Sequence, residues 1–363
     1  MISTLTELQQ ELAELATSAF DRNGSAEQIT MAEERPDGFD RELWADLAAA
    51  GLLGVAIPEE YEGLGFGAVE VSLVCEQLGA HVTPVPLVAT LSAAQLLVAH
   101  GTDEQRASWL PGIAAGQVVV ALAAPQSVIE AKYADGKLSG RLVGVAWAHV
   151  ADLLLVPVGN KVVAFSPSTE GVISHRGTTT AREGALDLDL TKVAAELVGG
   201  EGTADWLRQR WFAALASTAA GVADGAVRLT ASYTSAREQF GKPLSTFQSV
   251  ALKAADAYLD ATAIRAAARQ AAWRLDAQRL DAGADATLDV LTAAWWAAEA
   301  GQHAVHITQH LHGGMGADIT YPVHRYFLWG KQIELLLGGA SALLAELGEA
   351  LENHLDAGDA VTL

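Results

Sequence analysis

The sequence predicts a mostly α-helical fold with a small central β domain. Three observations carry that reading. From the start to about residue 115, apolar residues recur at three- and four-residue spacing, the pattern of helices that bury one face. From about 116 to 195 the texture changes to short Val- and Leu-rich runs broken by Gly, Pro and Asn, as strands and turns do. Beyond about 200, long Ala- and Leu-rich stretches restore the helical pattern. The expected division is a helical domain at 1–115, a small β domain at 116–200 and a C-terminal four-helix bundle at 201–363.

Each element has a local reason. "STLTELQQELAELATSAF" and "FDRELWADLAAAGLLG" read as two helices, with Gly51 or Gly54 ending the second. "VEVSLVCEQLGAHVTPVPLVATLSAAQLLVAHG" gives two more, separated by Pro84 and Pro86. "GQVVVALAAP", "GKLSGRLVG", "ADLLLVPVG" and "NKVVAFSP" are the expected strands. Helical stretches follow at about 203–234, 248–281, 284–311 and 323–356.

Composition narrows the function classes. A chain of 363 residues, half of them hydrophobic, exceeds one small core. No apolar run approaches the roughly 20 residues that span a bilayer, so no membrane partner is expected. Met1-Ile2-Ser3-Thr4 lacks the basic and apolar parts of a signal peptide. The single cysteine, Cys75, lies in an apolar helical stretch and cannot form an internal disulfide. These features imply a cytoplasmic protein. A formal charge of −21 argues against a nucleic-acid partner, which would want a basic face. A few local arginines can still gather around an anionic ligand.

Three stretches hold candidate chemistry. His303, His306 and His310 share one helical face, but no HExxH pattern and no nearby cluster of acids supports a metal, and none is expected. In "LHGGMGADITYP", Gly313 and Gly314 lack Cβ atoms, so their N–H groups can approach a phosphate closely. The same pattern fits a glycine C-cap and a turn before Pro322. In "SAREQFGKPLSTFQS", Arg237 and Phe240 end a helix, Gly241 breaks it and Gln248 opens the next. Arg237 can make charge-assisted bonds to a pyrophosphate while Phe240 and Gln248 line an adjoining groove; an ordinary loop with a solvated arginine fits equally. "GLGFG" at 63–67 is not a dinucleotide fingerprint, because no strand precedes it.

"REQFGKPLSTFQ" and "LHGGMGADITYPVHRY", roughly 70 residues apart in a helical region, resemble the acyl-CoA dehydrogenase family. So do "GLLGVAIPEEYEGLGFG", "LPGIAAGQVVVALA" and the helical, β, helical order. The resemblance covers essentially the whole chain. It implies the acyl-CoA dehydrogenase fold, with a β-barrel-like middle domain, and an enzyme that binds FAD and removes α and β hydrogens from an acyl-CoA thioester. A glutamate takes the α proton in such enzymes. It further implies FAD contacts across a subunit interface from Arg237, Gln239, Phe240, Gln248, His310, Gly313 and Gly314. The family's glutamine before the Gly-Gly loop falls at His310 here, with Gln309 beside it.

Two departures from the family pattern refine the expectation. The two positions where the family keeps its glutamate base are Leu337 and Trp211 here, both apolar. Glu334, one turn before Leu337 and near Lys331, is the only nearby carboxylate. Three residues shift a side chain by about 60° around and about 4.5 Å along a helix, which misplaces a base. The polar loop that holds the flavin ring is replaced by "APQSVIEAK", Ala124 to Lys132, although Trp147 keeps the place of a tryptophan that flanks the flavin. This asymmetry resembles the shorter, base-lacking subunit of heteromeric α2β2 steroid-degrading acyl-CoA dehydrogenases of bacteria. A catalytic partner subunit is therefore expected. The alternatives are a self-sufficient homo-oligomeric dehydrogenase using Glu334, and a non-catalytic structural or acyl-CoA-binding protein of the same fold.

Overall fold

The computed structural model describes residues 4–280 and 285–356. Met1, Ile2 and Ser3, together with positions 281 and 284 where two helices were expected to meet, lie outside the described residues. The chain divides into two units, a mixed unit of Leu5–Val74 and Thr83–Trp211 and a helical unit that joins Cys75–Val82 to the residues from Phe212 onward.

The N-terminal helices are α1 (Glu7–Asn23), α2 (Ala26–Glu33), α3 (Arg41–Ala49), α4 (Ala68–His81), α5 (Leu87–His100) and α6 (Asp103–Ala114). Of these, α2 and α6 were not expected. Both open on a capping box, in which Ser25 pairs with Gln28 and Thr102 with Gln105. Gln105 also donates to Glu196 (3.3 Å) and to the Leu197 carbonyl (3.1 Å), so one side chain starts a helix and anchors it to a sheet.

Eight strands follow: β1 (Val120–Leu122), β2 (Val128–Ala134), β3 (Lys137–Ala146), β4 (Leu153–Val158), β5 (Lys161–Phe165), β6 (Val172–Thr178), β7 (Gly184–Ala194) and β8 (Glu196–Val198). They form two four-stranded sheets, ordered β1-β4-β5-β8 and β2-β3-β7-β6. The pair β1 and β4 is parallel; the other pairs within these two sheets are antiparallel. Sequence reading found β1, β3, β4 and β5. It missed β6, which is exposed and polar, and β7, whose Leu186, Leu188 and Leu190 alternate inward with Asp187 and Asp189. "APQSVIEAK" is no open loop: Pro125–Ser127 form a 3-10 turn and Val128 begins β2.

Trp147 sits at the end of β3, 4% exposed, with a left-handed φ of 63°. Its ring packs edge-on against Phe39 (5.9 Å) and parallel to His149 (6.1 Å). Its Nε1 donates to Glu183 (3.1 Å), which also accepts from the Thr179 hydroxyl (3.3 Å). Burial pushes the Glu183 carboxyl up to about 7, against the opposing pull of those two hydrogen bonds.

The helical unit contains residues of α7 (Thr203–Ala236), which also runs into the mixed unit, with α8 (Gln248–Leu280), α9 (Thr287–Leu311), α10 (Val323–Leu336) and α11 (Ala340–Asp356). Helix α9 is the hub, packed on α8, α10 and α11 through small buried residues including Ala294, Ala297, Ala298 and Gly301. The fourth expected stretch, 323–356, is two helices. Gly338 and Gly339 break it with φ of 90° and 89°, a region that side chains rarely enter. Where α4 meets α7, a Cβ on Gly79 would strike the Thr218 carbonyl, and one on Gly221 would strike the Glu76 carbonyl. Arg265 then bonds Glu76 (2.6 Å) and Asp224 (3.0 Å), and the Tyr326 hydroxyl donates to the Ala80 carbonyl (2.8 Å). Among the described residues, no helix is long and apolar enough to cross a membrane.

The Glu183 carboxyl gives a pH signature. Its folded value of about 7 stands above the ordinary 4.5, so the folded state holds a proton that the unfolded chain releases. The stability from this group is complete below about 4.5 and is lost as pH rises through about 7. The shift corresponds to about 3 kcal/mol. Glu183→Gln should therefore stabilise the chain relative to wild type by about 3 kcal/mol more at pH 8 than at pH 5. Urea unfolding of both proteins at the two pH values checks this, and a pH-independent difference would refute it.

Candidate cofactor-contact site

Helix α7 ends at Ala236, and the chain turns through a minimal hairpin of β9 (Glu238–Gln239) and β10 (Lys242–Pro243). The two turn residues are both left-handed, Phe240 at φ 55° and Gly241 at φ 79°, as a type I′ turn requires. Glycine suits the second position. Phenylalanine at the first costs on the order of 1–3 kcal/mol and points to a functional demand. Its ring is 92% exposed, edge-on to Phe247 at 6.2 Å. Arg237 is held by its backbone, with its N–H donating to Tyr233 (2.8 Å) and its carbonyl accepting from Leu244 (2.9 Å). The Arg237 side chain is exposed and makes no ion pair or hydrogen bond among the described residues. Gln239 turns its amide to the Glu238 carbonyl (2.9 Å), and Gln248 stands exposed at the start of α8.

After α9, a 3-10 turn spans Gly313–Ala317. Gly313 is left-handed at φ 57°, and nothing lies within 4 Å of where a Cβ on Gly313 or Gly314 would stand. The preceding His312 is buried, donates from Nδ1 to the Thr308 carbonyl (2.8 Å) and stacks on Tyr233 (4.5 Å). Burial holds the His312 ring below the ordinary histidine range, against the opposing pull of its bond to the Thr308 carbonyl. Tyr233 lies one helical turn before Arg237, and its hydroxyl donates to the His312 carbonyl (3.5 Å). This clamp ties the base of the hairpin to the base of the glycine loop.

A cavity of about 490 Å³ adjoins that loop, lined by His306, Gln309, His310, Gly313, Gly316 and Phe327 among others. Gln309 donates to the Gly316 carbonyl (2.8 Å), while its own buried oxygen has no partner among the described residues. His306 packs edge-on against Phe327 (4.8 Å). His310 and Gly313 line this cavity, with Gly314 next to them in the chain. Sequence reading missed His306 and Phe327 as lining residues. The 3-4 spacing of His306, Gln309, His310 and Gly313 signalled one face, but nothing local marked Phe327 on α10. An unpaired guanidinium, an exposed strained aromatic and two open glycines fit an anionic diphosphate joined to flat rings.

The candidate base is otherwise engaged. Lys331 bonds Glu334 at 2.7 Å, both partly buried on α10. With its amide oriented to satisfy both, Gln302 donates to Glu334 (3.2 Å) and accepts from Lys331 (3.0 Å). Leu337 and Trp211 are buried apolar side chains, 3% and 4% exposed. Of the three histidines on α9, His303 pairs with Asp260 (2.7 Å). Among the described residues, no group of three or more metal-ligating side chains is placed to hold an ion.

Two family profiles match the chain: acyl-CoA dehydrogenase, N-terminal domain, over residues 6–117, and acyl-CoA dehydrogenase, C-terminal domain, over 209–350. Acyl-CoA dehydrogenase FadE27 of Mycobacterium tuberculosis is 36% identical, covering 96% of this chain and 98% of its own. Among solved structures, the Tcur3481-Tcur3483 steroid ACAD superposes with a TM-score of 0.90 at 38% identity, covering 97% of this chain and all of that one (100%). The ChsE4-ChsE5 complex from Mycobacterium tuberculosis gives 0.89 at 34%, covering 97% and 99%. With both profiles matched and such relatives aligned nearly end to end, this chain belongs to the acyl-CoA dehydrogenase family.

Proposed function

We propose that this chain is the base-lacking subunit of a heteromeric α2β2 acyl-CoA dehydrogenase, acting on a steroid side-chain acyl-CoA. Its catalytic partner carries the glutamate base and the FAD cleft. The carrying observation is the hairpin: in a strongly acidic chain Arg237 has no side-chain partner among the described residues, and beside it Phe240 is held exposed in a strained conformation. The similarity to two solved steroid or two-component assemblies supports the partner and the substrate class. The three-part division at 1–115, 116–200 and 201–363 and a cytoplasmic location belong to the same proposal.

FAD, when bound, supplies the hydride acceptor for α,β-dehydrogenation. The residues of this chain bind and orient. Arg237 offers its two-pronged guanidinium to the diphosphate, and the N–H groups of Gly313 and Gly314 add short donors. Phe240 presents a flat apolar face, while Gln248 and His310 supply polar contacts at the rim. Gln239 contributes through the hairpin backbone, since its amide is engaged by the neighbouring Glu238 carbonyl. No carboxylate of this chain moves the substrate α proton, because Leu337 and Trp211 hold the two base positions and Glu334 is tied to Lys331.

Three outcomes are expected. Glu334→Gln in the assembled enzyme should leave kcat within a few-fold of wild type, whereas a general base contributes about 10²–10⁴-fold. Steady-state turnover of an acyl-CoA decides it, and a loss of that size would support the self-sufficient enzyme instead. Flavin released from the purified complex should amount to about two FAD per four chains; about one per chain would sink the idea of a single working cleft per pair. Arg237→Ala should weaken FAD binding to the apo-complex by about 1.5–3 kcal/mol, or roughly 10- to 100-fold, with Arg237→Lys recovering part. Titration with FAD reads this directly. Equal affinity in all three proteins would make Arg237 a solvated surface residue.

A further inference from the structure

The mixed unit carries a cavity that none of this uses. It holds about 330 Å³ and is lined by two stretches of chain. The connection from α2 to α3 supplies Arg35 and Asp37, and the end of the β6–β7 pair supplies Arg176 and Arg182, with His149 between. Three guanidiniums converge on one hollow in a chain with 44 acidic and 23 basic side chains. Two carboxylates, Glu33 and Asp37, also line the hollow, and Asp37 is already occupied by Arg41, which donates to it at 2.9 and 3.1 Å. Arg35 is committed to Glu42 (3.2 Å). Arg176 spends one N–H on the Pro36 carbonyl (3.2 Å) and makes no other side-chain bond among the described residues. The Arg182 side chain makes no ion pair or hydrogen bond among the described residues, and its backbone is strained at φ 65°. His149 donates to the Asp37 carbonyl (2.8 Å), and a Cβ on Gly184 would strike its ring.

We propose that this cavity binds a small phosphate ester, its phosphoryl oxygens held by Arg176 and Arg182. Two largely uncommitted guanidinium forks match phosphoryl oxygens in geometry as well as charge. Backbone strain at Arg182 is retained where a site requires the side chain in one place. A bare phosphate, roughly twice the ~30 Å³ share of a water molecule, leaves most of the volume empty, so the ligand has an organic body. Gly177 and Thr178 line the floor, adding a backbone of low bulk and a hydroxyl. The site shares no residue with the hairpin and glycine loop, so it stands independently of the FAD reading.

The test uses the full chain and two probes, inorganic pyrophosphate and ADP. Trp147 is the reporter, since its ring stacks on His149 at 6.1 Å. ADP should change the fluorescence saturably and bind more tightly than pyrophosphate. The change should vanish in Trp147→Phe. Arg176→Ala and Arg182→Ala should each weaken binding about tenfold, with Arg182→Lys recovering part, and raised salt should weaken it further. Arg237→Ala should leave the titration unchanged, which separates this cavity from the proposed FAD contacts. The proposal is overturned by no saturable binding of either probe, by unchanged affinity in a folded Arg182→Glu, or by loss of binding in Arg237→Ala. Citrate binding more tightly than ADP, or pyrophosphate matching ADP, would likewise overturn the assignment to a phosphate ester.

Discussion

The helical unit depends on how closely α4 and α7 cross. Gly79 faces the Thr218 carbonyl and Gly221 faces the Glu76 carbonyl, so each helix presses its backbone against the other's. A glycine in a helix interior costs about 1 kcal/mol relative to alanine, yet no side chain fits at either place. The crossing fixes α7 along its length, and α7 carries Tyr233 and the hairpin at its far end. The same segment of α4 recruits the other helices. Glu76 takes Arg265 and Arg269 from α8, and Ala80 takes the Tyr326 hydroxyl from α10. Each is a polar group whose burial without a partner would cost more than the bond returns.

Against that rigid frame, the candidate site is where local rules are broken. A phenylalanine holds a conformation suited to glycine and exposes nearly all of its ring. An arginine makes no ion pair with any carboxylate among the described residues, in a chain of net charge −21. Two adjacent glycines leave space that a core would fill. Of the three, only the left-handed phenylalanine costs the isolated chain stability, since the arginine and the glycines are exposed to solvent.

Much of this was legible in the sequence because the signals were local. The helical stretches, four strands and the Arg237 and Gly313 motifs all announce themselves within a few residues. Helices α2 and α6 were equally legible through Ser25 with Gln28 and Thr102 with Gln105, but their short apolar patterns hid them. The alternation of Leu186, Leu188 and Leu190 with aspartates was readable as a strand too. Other features had no local signal. Phe327 meets His306 only because α10 folds back on α9, and Glu183 meets Trp147 across 36 residues of chain. The convergence of Arg35 with Arg176 likewise belongs to tertiary structure alone.

The composition of the helical unit also bears on how it is made. The helical segment at 75–82 leaves the ribosome early, and the 129 residues from 83 to 211 intervene before the unit resumes at Phe212. At synthesis rates of about 5–20 residues per second, that gap lasts roughly 6–26 seconds. During it, the backbone groove at Gly79 has no helix to receive, and Glu76 has neither of its arginines. A fragment beginning at Phe212 would contain α8 to α11 and their hub α9 yet lack Glu76, Gly79 and Ala80 of α4. It would expose the small-residue stripe of α7 at Gly221 and Gly225, a surface suited to sticking to its own kind. The C-terminal half of this chain is thus not a module that can be cut out and carried elsewhere.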